Sequence, residues 1–198
     1  MKRSLQRSKL EQLESRRVLA SYSLAPPEPI TSYDGNVVLI RPADLDNDGD
    51  EDIVFFDAVD GSIHVIENIS YGASFGKPLL LGIVPDASEF AQFEIVDMDG
   101  DQDLDIVAAR TSLVVFENQT KGDIKFARVE HAFAERTTIL NFRVADWDGD
   151  GDQDVIADHS SAFSPFSFSV YLRTDQVYER WDIPPRDSCT WCFRCRRH

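Results

Sequence analysis

The chain has 198 residues, 42% hydrophobic and 28% charged, with 35 acidic against 20 basic side chains and a net charge of −15. That length allows one ordinary domain or two small ones with a workable apolar core, and no apolar run approaches the roughly 20 residues of a membrane span. An acid excess of this size disfavours nucleic acid and anionic lipid as partners unless metal neutralises it. The ends are basic, net +4 over residues 1–20 and +3 over 186–198, so the body between them is more acidic still.

Residues 1–20 carry Leu5, Leu10, Leu13, Val18 and Leu19 at a spacing compatible with a short amphipathic helix. They lack the apolar middle of an ordinary secretory signal. Ser15-Arg16-Arg17-Val18-Leu19 hints at a twin-arginine signal, but the stretch between it and Pro26-Pro27 is short and polar. The stretch from Leu10 to Ala20, with Glu14-Ser15-Arg16-Arg17-Val18-Leu19 at its centre, resembles the N-terminal motif of planctomycete extracellular proteins. That resemblance implies a secreted or envelope-associated protein in which this segment is an address. A frayed basic helix is the plainer reading. Tyr22–Ile30, with Pro26, Pro27 and Pro29, could form only an edge strand.

Three aspartate ladders dominate the body: Asp44, Asp46, Asp48, Asp50 and Asp52; Asp97, Asp99, Asp101, Asp103 and Asp105; Asp146, Asp148, Asp150, Asp152 and Asp154. With Glu51 they hold 16 of the 35 acidic residues, and no Lys or Arg lies among them. Carboxylates about 4 Å apart repel by roughly 4 kcal/mol per pair at an effective dielectric near 20. Something positive must therefore enter each loop, and an oxygen-only ligand set selects a hard cation, calcium first. In each ladder positions one, three, five and nine would supply carboxylates and position seven a backbone carbonyl. Gly49 and Gly151 at position six provide the positive φ that wraps the chain round the ion. The second ladder has Gln102 there, which marks it as the weakest of up to three sites.

The ladders punctuate a repeat of about 50 residues, a period of propellers and arrays. A β-like segment precedes each one (Asn36–Arg41, Gln92–Val96, Ile139–Ala145), and a buried-strand signature comes after it (Asp52–Phe56, Asp105–Ala108, Asp154–Ala157). A third strand is read at Ile63–Asn68, Leu113–Asn118 and Phe168–Leu172, and a weaker fourth at Pro78–Val84, Ile124–Glu130 and Val177–Ile183. The expected fold is all-β, with about three four-stranded β-propeller blades at 36–84, 91–130 and 138–183 inside a body spanning 21–185. No window of the body holds a helical period.

Asp-x-Asp-x-Asp-Gly-x-x-Asp followed by Ile or Val resembles the FG-GAP/VCBS repeats of integrin-type β-propellers, and Tyr71–Pro78 resembles the Phe-Gly segment of that repeat. The resemblance covers roughly 36–185. It implies calcium in the loop between adjacent strands, and a secreted adhesion, matrix or glycan-recognising role with a protein or polysaccharide ligand at a cell surface. Propellers close with four to eight blades, so three imply a fragment, further blades from a longer chain or a partner, or a degenerate blade hidden in the termini.

Rival chemistries fare worse. An EF-hand or dockerin needs an acid at position twelve, where this chain has Phe55, Ala108 and Ala157. Solvated acidic turns without metal remain the bland alternative. Gly72-Ala73-Ser74-Phe75-Gly76 fits the nucleophile-elbow pattern, which has meaning only between a strand and a helix. His64, His131 and His159 fall one per repeat at unrelated positions, so no shared base is implied. Asn68-Ile69-Ser70 and Asn118-Gln119-Thr120 fit the glycosylation sequon, but their shared Glu-Asn setting reads as a repeated turn. Phe55, Phe56, Phe116 and Tyr171 are core candidates, and Trp147 is the aromatic expected at the surface.

The tail, Cys189-Thr190-Trp191-Cys192-Phe193-Arg194-Cys195 with His198, has knuckle-like spacing for zinc or an iron–sulfur cluster. An odd cysteine count at an Arg-rich end reads instead as an unstructured tail. The leading functional reading is a calcium-binding, non-enzymatic extracellular propeller segment for adhesion or surface recognition. A calcium-dependent polysaccharide lyase or hydrolase is the alternative, and it needs bases and carboxylates gathered outside the ladders. A purely structural array is the third.

Overall fold

The computed structural model describes residues 29–87, 92–132, 138–160, 167–174 and 177–182. The address-like segment 1–20, most of the Tyr22–Ile30 stretch and the cysteine tail lie outside them. Pro29 and Ile30 are not in a strand.

Twelve strands and no helix are found among the described residues, in three four-stranded antiparallel meanders. Sheet 1 runs β1 (Val37–Ala43), β2 (Asp52–Asp57), β3 (Ser62–Ile66), β4 (Leu79–Ile83). Sheet 2 runs β5 (Gln92–Val96), β6 (Asp105–Ala109), β7 (Ser112–Asn118), β8 (Phe126–Ala132). Sheet 3 runs β9 (Thr138–Ala145), β10 (Asp154–Ser160), β11 (Ser167–Thr174), β12 (Val177–Asp182). These are the strands expected from the sequence, with ends moved by up to three residues; β10 runs on to Ser160, β3 stops at Ile66, and Asn68 instead forms an isolated bridge to Phe75.

Side chains alternate across a strand, and here both faces of a sheet find partners. After the last aspartate of each ladder, the first and third residues face the preceding sheet and the second and fourth face the following one. Val54, Phe56, Ile63 and Val65 of sheet 1 thus pack on Phe93, Ile106, Ala108, Val114 and Phe116 of sheet 2. Val107, Ala109, Leu113 and Val115 on the other face of sheet 2 pack on Ile139, Phe142, Val155, Ala157 and Tyr171 of sheet 3. A sheet covered on both sides needs continuous apolar strands, which is why β6 and β7 read as unbroken Val, Ile and Ala runs. The sheets lie in register like successive blades, β5 meeting β9 and β4 meeting β8.

Polar side chains bind neighbouring sheets along the inner strands. Arg41 donates from Nε to the Phe93 carbonyl (3.2 Å), with its guanidinium 5.9 Å from the Phe93 ring centroid. At the equivalent position Glu94 accepts from Arg143 Nη1 (2.8 Å) and the Val144 N–H (3.0 Å). Gly82 leaves room where β4 of sheet 1 meets sheet 2. A Cβ there would sit 2.9 Å from Phe116 Cε1 and 3.2 Å from Arg128 Cδ. Phe116 is fully buried and has nowhere to retreat. Gly82→Val is therefore expected to cost about 1–3 kcal/mol in urea unfolding, whereas Leu80→Val on the exposed side of β4 should change stability by less than about 0.5 kcal/mol.

Candidate metal centre

Each ladder fills the loop from the first to the second strand of its sheet, and its last aspartate is the first residue of the second strand. The loops repeat one hydrogen-bond pattern. The position-one carboxylate accepts two N–H groups from within the loop: Asp44 from Asp48 (3.2 Å) and Gly49 (3.0 Å), Asp97 from Gly100 (2.7 Å) and Gln102 (3.1 Å), Asp146 from Gly149 (2.7 Å) and Gly151 (3.2 Å). Positions three and five each accept the N–H two residues on, as Asp99 does from Asp101 (3.2 Å) and Asp101 from Asp103 (2.9 Å). These turns wind the chain so that carboxylate oxygens converge. Oxygens of Asp44, Asp46 and Asp48, of Asp97, Asp99 and Asp101, and of Asp146, Asp148 and Asp154 lie within 4.8 Å of one another. These three clusters could hold a metal ion, and their all-oxygen donor set suits a hard cation.

The winding needs a left-handed residue at position six, as the sequence indicates, and also at position four, which it does not. The φ angles are 59° at Asn47 and 94° at Gly49, 82° at Gly100 and 78° at Gln102, 81° at Gly149 and 100° at Gly151. Asn tolerates this region and glycine is at ease in it, so Gln102 carries the largest strain.

The last aspartates are 1% exposed and take a second role. Asp52 accepts N–H groups from Leu45 (3.1 Å) and Asn68 (2.8 Å), Asp105 from Met98 and Asn118 (both 2.8 Å), Asp154 from Trp147 and Arg173 (both 2.9 Å). Each carboxylate thus ties its loop to the end of the third strand. Asn68 and Asn118 are therefore buried joints, as the repeated-turn reading expects, and Arg173 fills the same place in sheet 3.

Other ladder side chains turn away from the clusters. Asp50 is buried and accepts the Tyr71 N–H, and Asp103 accepts from Asn47 Nδ2 (2.8 Å), joining loop two to loop one. At position seven only the backbone carbonyl is expected to serve a cation. Asp150 accepts the Asp152 N–H (2.9 Å), and the third trio takes Asp154 in its place.

Electrostatics register the crowding. Burial, then neighbouring carboxylates, raises Asp46, Asp99 and Asp148 above the usual carboxylate range. Burial also raises Asp52, and it pushes Asp105 up to about 6, with Asp99 and Asp101 adding to the effect and two backbone N–H groups opposing it. Among the described residues the ion pairs are Arg128–Glu130 and Arg143–Glu94, and neither touches a ladder.

Outside the loops, Gly72–Gly76 lies in the turn between β3 and β4, where Ile69 N–H meets the Ser74 carbonyl (2.9 Å) and no helix follows. His64 and His159 are buried. Phe55, Ala108 and Ala157 are buried in strands, which rules out an EF-hand. Phe56, Phe116 and Tyr171 are in the core, and Trp147 is 47% exposed. No motif or spacing signals a small cleft between sheets 2 and 3, lined by Asp99, Glu117, His131, Arg173 and Tyr178. With about 10 Å³ of room it admits one water and no sugar ring.

Residues 97–157, from the second ladder into β10, match the FG-GAP-like repeat family. No curated protein matches the chain.

Gln102→Gly should stabilise the fold by about 1 kcal/mol in urea unfolding by removing left-handed strain, and Gln102→Ala should bring no such gain. The raised Asp105 binds a proton in the metal-free fold that the unfolded chain, at 3.8, has already released. Its contribution to stability is thus present at low pH and lost as pH rises through about 6. A cation binding at neutral pH meets a charged carboxylate, whereas at pH 6 it must displace a proton. Calorimetric calcium titrations in two buffers of different ionisation enthalpy should report proton release at pH 6 and none at pH 8. Equal heats in both buffers at pH 6 would contradict this assignment.

Proposed function

We propose that this chain is a calcium-binding, non-enzymatic β-propeller segment that works outside the cell or at its envelope, in adhesion or in recognising a protein or polysaccharide surface. The observation that carries the reading is three carboxylate clusters in equivalent loops, none neutralised by a cationic side chain among the described residues. The FG-GAP-like match over residues 97–157 spans two of these loops and supports the same reading. Calcium's part is structural: it offsets the repulsion in each loop and fixes the crossing from first to second strand. Magnesium demands a tighter octahedron and gives up its water reluctantly, so loops rich in flexible carboxylates favour calcium.

Extracellular calcium modules bind at about 10⁻⁴–10⁻³ M. At a Kd of about 1 mM, roughly 10 mM calcium adds about 1.4 kcal/mol per site, or about 4 kcal/mol for three. That corresponds to a rise of roughly 10 °C in Tm for a domain of this size. Thermal unfolding of chelator-treated protein with increasing calcium is expected to show this rise. An unchanged Tm at about 10 mM calcium would remove the reading.

A further inference from the structure

We propose that Asp34 is a site of spontaneous backbone modification, where the Asp34–Gly35 peptide isomerises through a cyclic imide to a β-linked isoaspartate and releases the segment before β1 from β2. The chain has six Asp-Gly pairs: 34–35, 48–49, 60–61, 99–100, 148–149 and 150–151. Such pairs suit the reaction because glycine places no Cβ beside its own nitrogen. That nitrogen, losing its proton, bonds to the aspartate Cγ, and a carboxyl oxygen leaves as water. Water then reopens the ring. Attack at the main-chain carbonyl leaves the chain running through Cβ, with no net change in composition.

In five of the pairs the fold holds both reacting groups. Each ladder glycine donates its N–H to the position-one carboxylate: Gly49 to Asp44 (3.0 Å), Gly100 to Asp97 (2.7 Å), Gly149 and Gly151 to Asp146 (2.7 and 3.2 Å). The carboxyl that would be attacked is engaged too, since Asp48, Asp99, Asp148 and Asp150 each accept the N–H two residues on. An N–H bonded to a carboxylate resists losing its proton, and a carboxyl held by a later N–H is not free to swing onto the nitrogen in between. Gly61 donates to the Asp57 carbonyl (3.0 Å), while Asp60 accepts the Ser62 N–H (3.1 Å) and the Ser62 hydroxyl. Asp34 and Gly35 are different. Both are exposed and outside any strand, and among the described residues neither the Asp34 carboxyl nor the Gly35 N–H makes a hydrogen bond.

The flanking contacts leave no room for a longer chain. Gly35 packs so tightly that a Cβ on it would sit 2.0 Å from Asp57 Oδ2 and 2.3 Å from Tyr33 Cε1. On one side Tyr33 donates its hydroxyl to Asp57 Oδ2 (2.7 Å) and sets its ring edge-on against Phe55 and His64. On the other, Asn36 donates its N–H to Asp57 Oδ1 (3.1 Å) and accepts from the Ala58 N–H (2.9 Å). An extra chain atom between Tyr33 and Asn36 pushes these two ends out of register, and the product lets go of Asp57.

Asp34 lies outside the ladders, and its reaction is independent of calcium. The folded full chain, aged for weeks at neutral pH, can be assayed for isoaspartate with an isoaspartyl-directed carboxyl methyltransferase, and the modified peptide located by mass spectrometry. Methyl acceptance is expected to rise severalfold over fresh protein, nearly all of it in the peptide holding Asp34, and Asp34→Glu, at an exposed site, should abolish the rise. In urea all six pairs should react, which separates protection by the fold from a property of the dipeptide. Aged protein should also exchange the Asn36 and Ala58 amide hydrogens faster than fresh protein. Isoaspartate spread across the ladder pairs of folded protein, or none at Asp34 where the unfolded chain reacts, would overturn the assignment of the site. Unchanged exchange at Asn36 and Ala58 in modified chains would overturn the release from β2.

Discussion

At the start of each second strand a buried aspartate accepts two backbone N–H groups, one from its own loop and one from the end of the third strand, and the blade is arranged around it. Asp52, Asp105 and Asp154 occupy these positions with nearly the same distances, 2.8–3.1 Å. A buried N–H without a partner costs about 1–3 kcal/mol, so each carboxylate secures two groups that would otherwise be orphaned. It also brings a negative charge to within reach of two more: Asp46 and Asp48 beside Asp52, Asp99 and Asp101 beside Asp105. The joint that organises the blade is thus also the source of its electrostatic cost. The structural role proposed for a cation addresses that coincidence, because neutralising the loop would let the joint keep its charge and both of its donors.

Cohesion between blades comes from different forces. Apolar residues on alternate faces stack sheet on sheet, and the side chains of Asn118 and Arg173 tie each loop to the blade that follows it. Asn47 adds a direct contact from loop one to Asp103 of loop two. Loop order and blade order are therefore connected physically. A loop that lost its winding would free the carbonyl on which the next blade hooks, so local disorder in a ladder would spread as loosened stacking.

The strands and loops were legible because their signals are local. Asp-Ile-Val and Asp-Val-Ile after each ladder mark strands buried on both faces, and β5 begins and ends where the alternation of Gln92–Val96 places it. Oxygen spacing identified the clusters for the same reason. The features that could not be read are non-local or conformational. Asn47 gives no hint that position four is left-handed, since Asn is also an ordinary turn residue. Nothing near Asn118 announces that its amide reaches Leu45, 73 residues earlier. The replacement of Asp150 by Asp154 in the third trio depends on which way a carboxylate turns, and alternating acids at regular spacing offer every choice. The repeat alignment puts Leu172-Arg173 where the other copies have Glu-Asn, but nothing in it announces that the long Arg173 side chain does the work of the Asn118 amide by reaching the Met98 carbonyl.

The central claim is that divalent ions occupy the three acid clusters. Equilibrium dialysis of chelator-treated, folded protein against about 5 mM calcium measures this directly. The account predicts close to three bound equivalents per chain, with the loop containing Gln102 filling last, and one fewer after Asp97→Asn with Asp99→Asn. Fewer than two equivalents on well-folded material would contradict it.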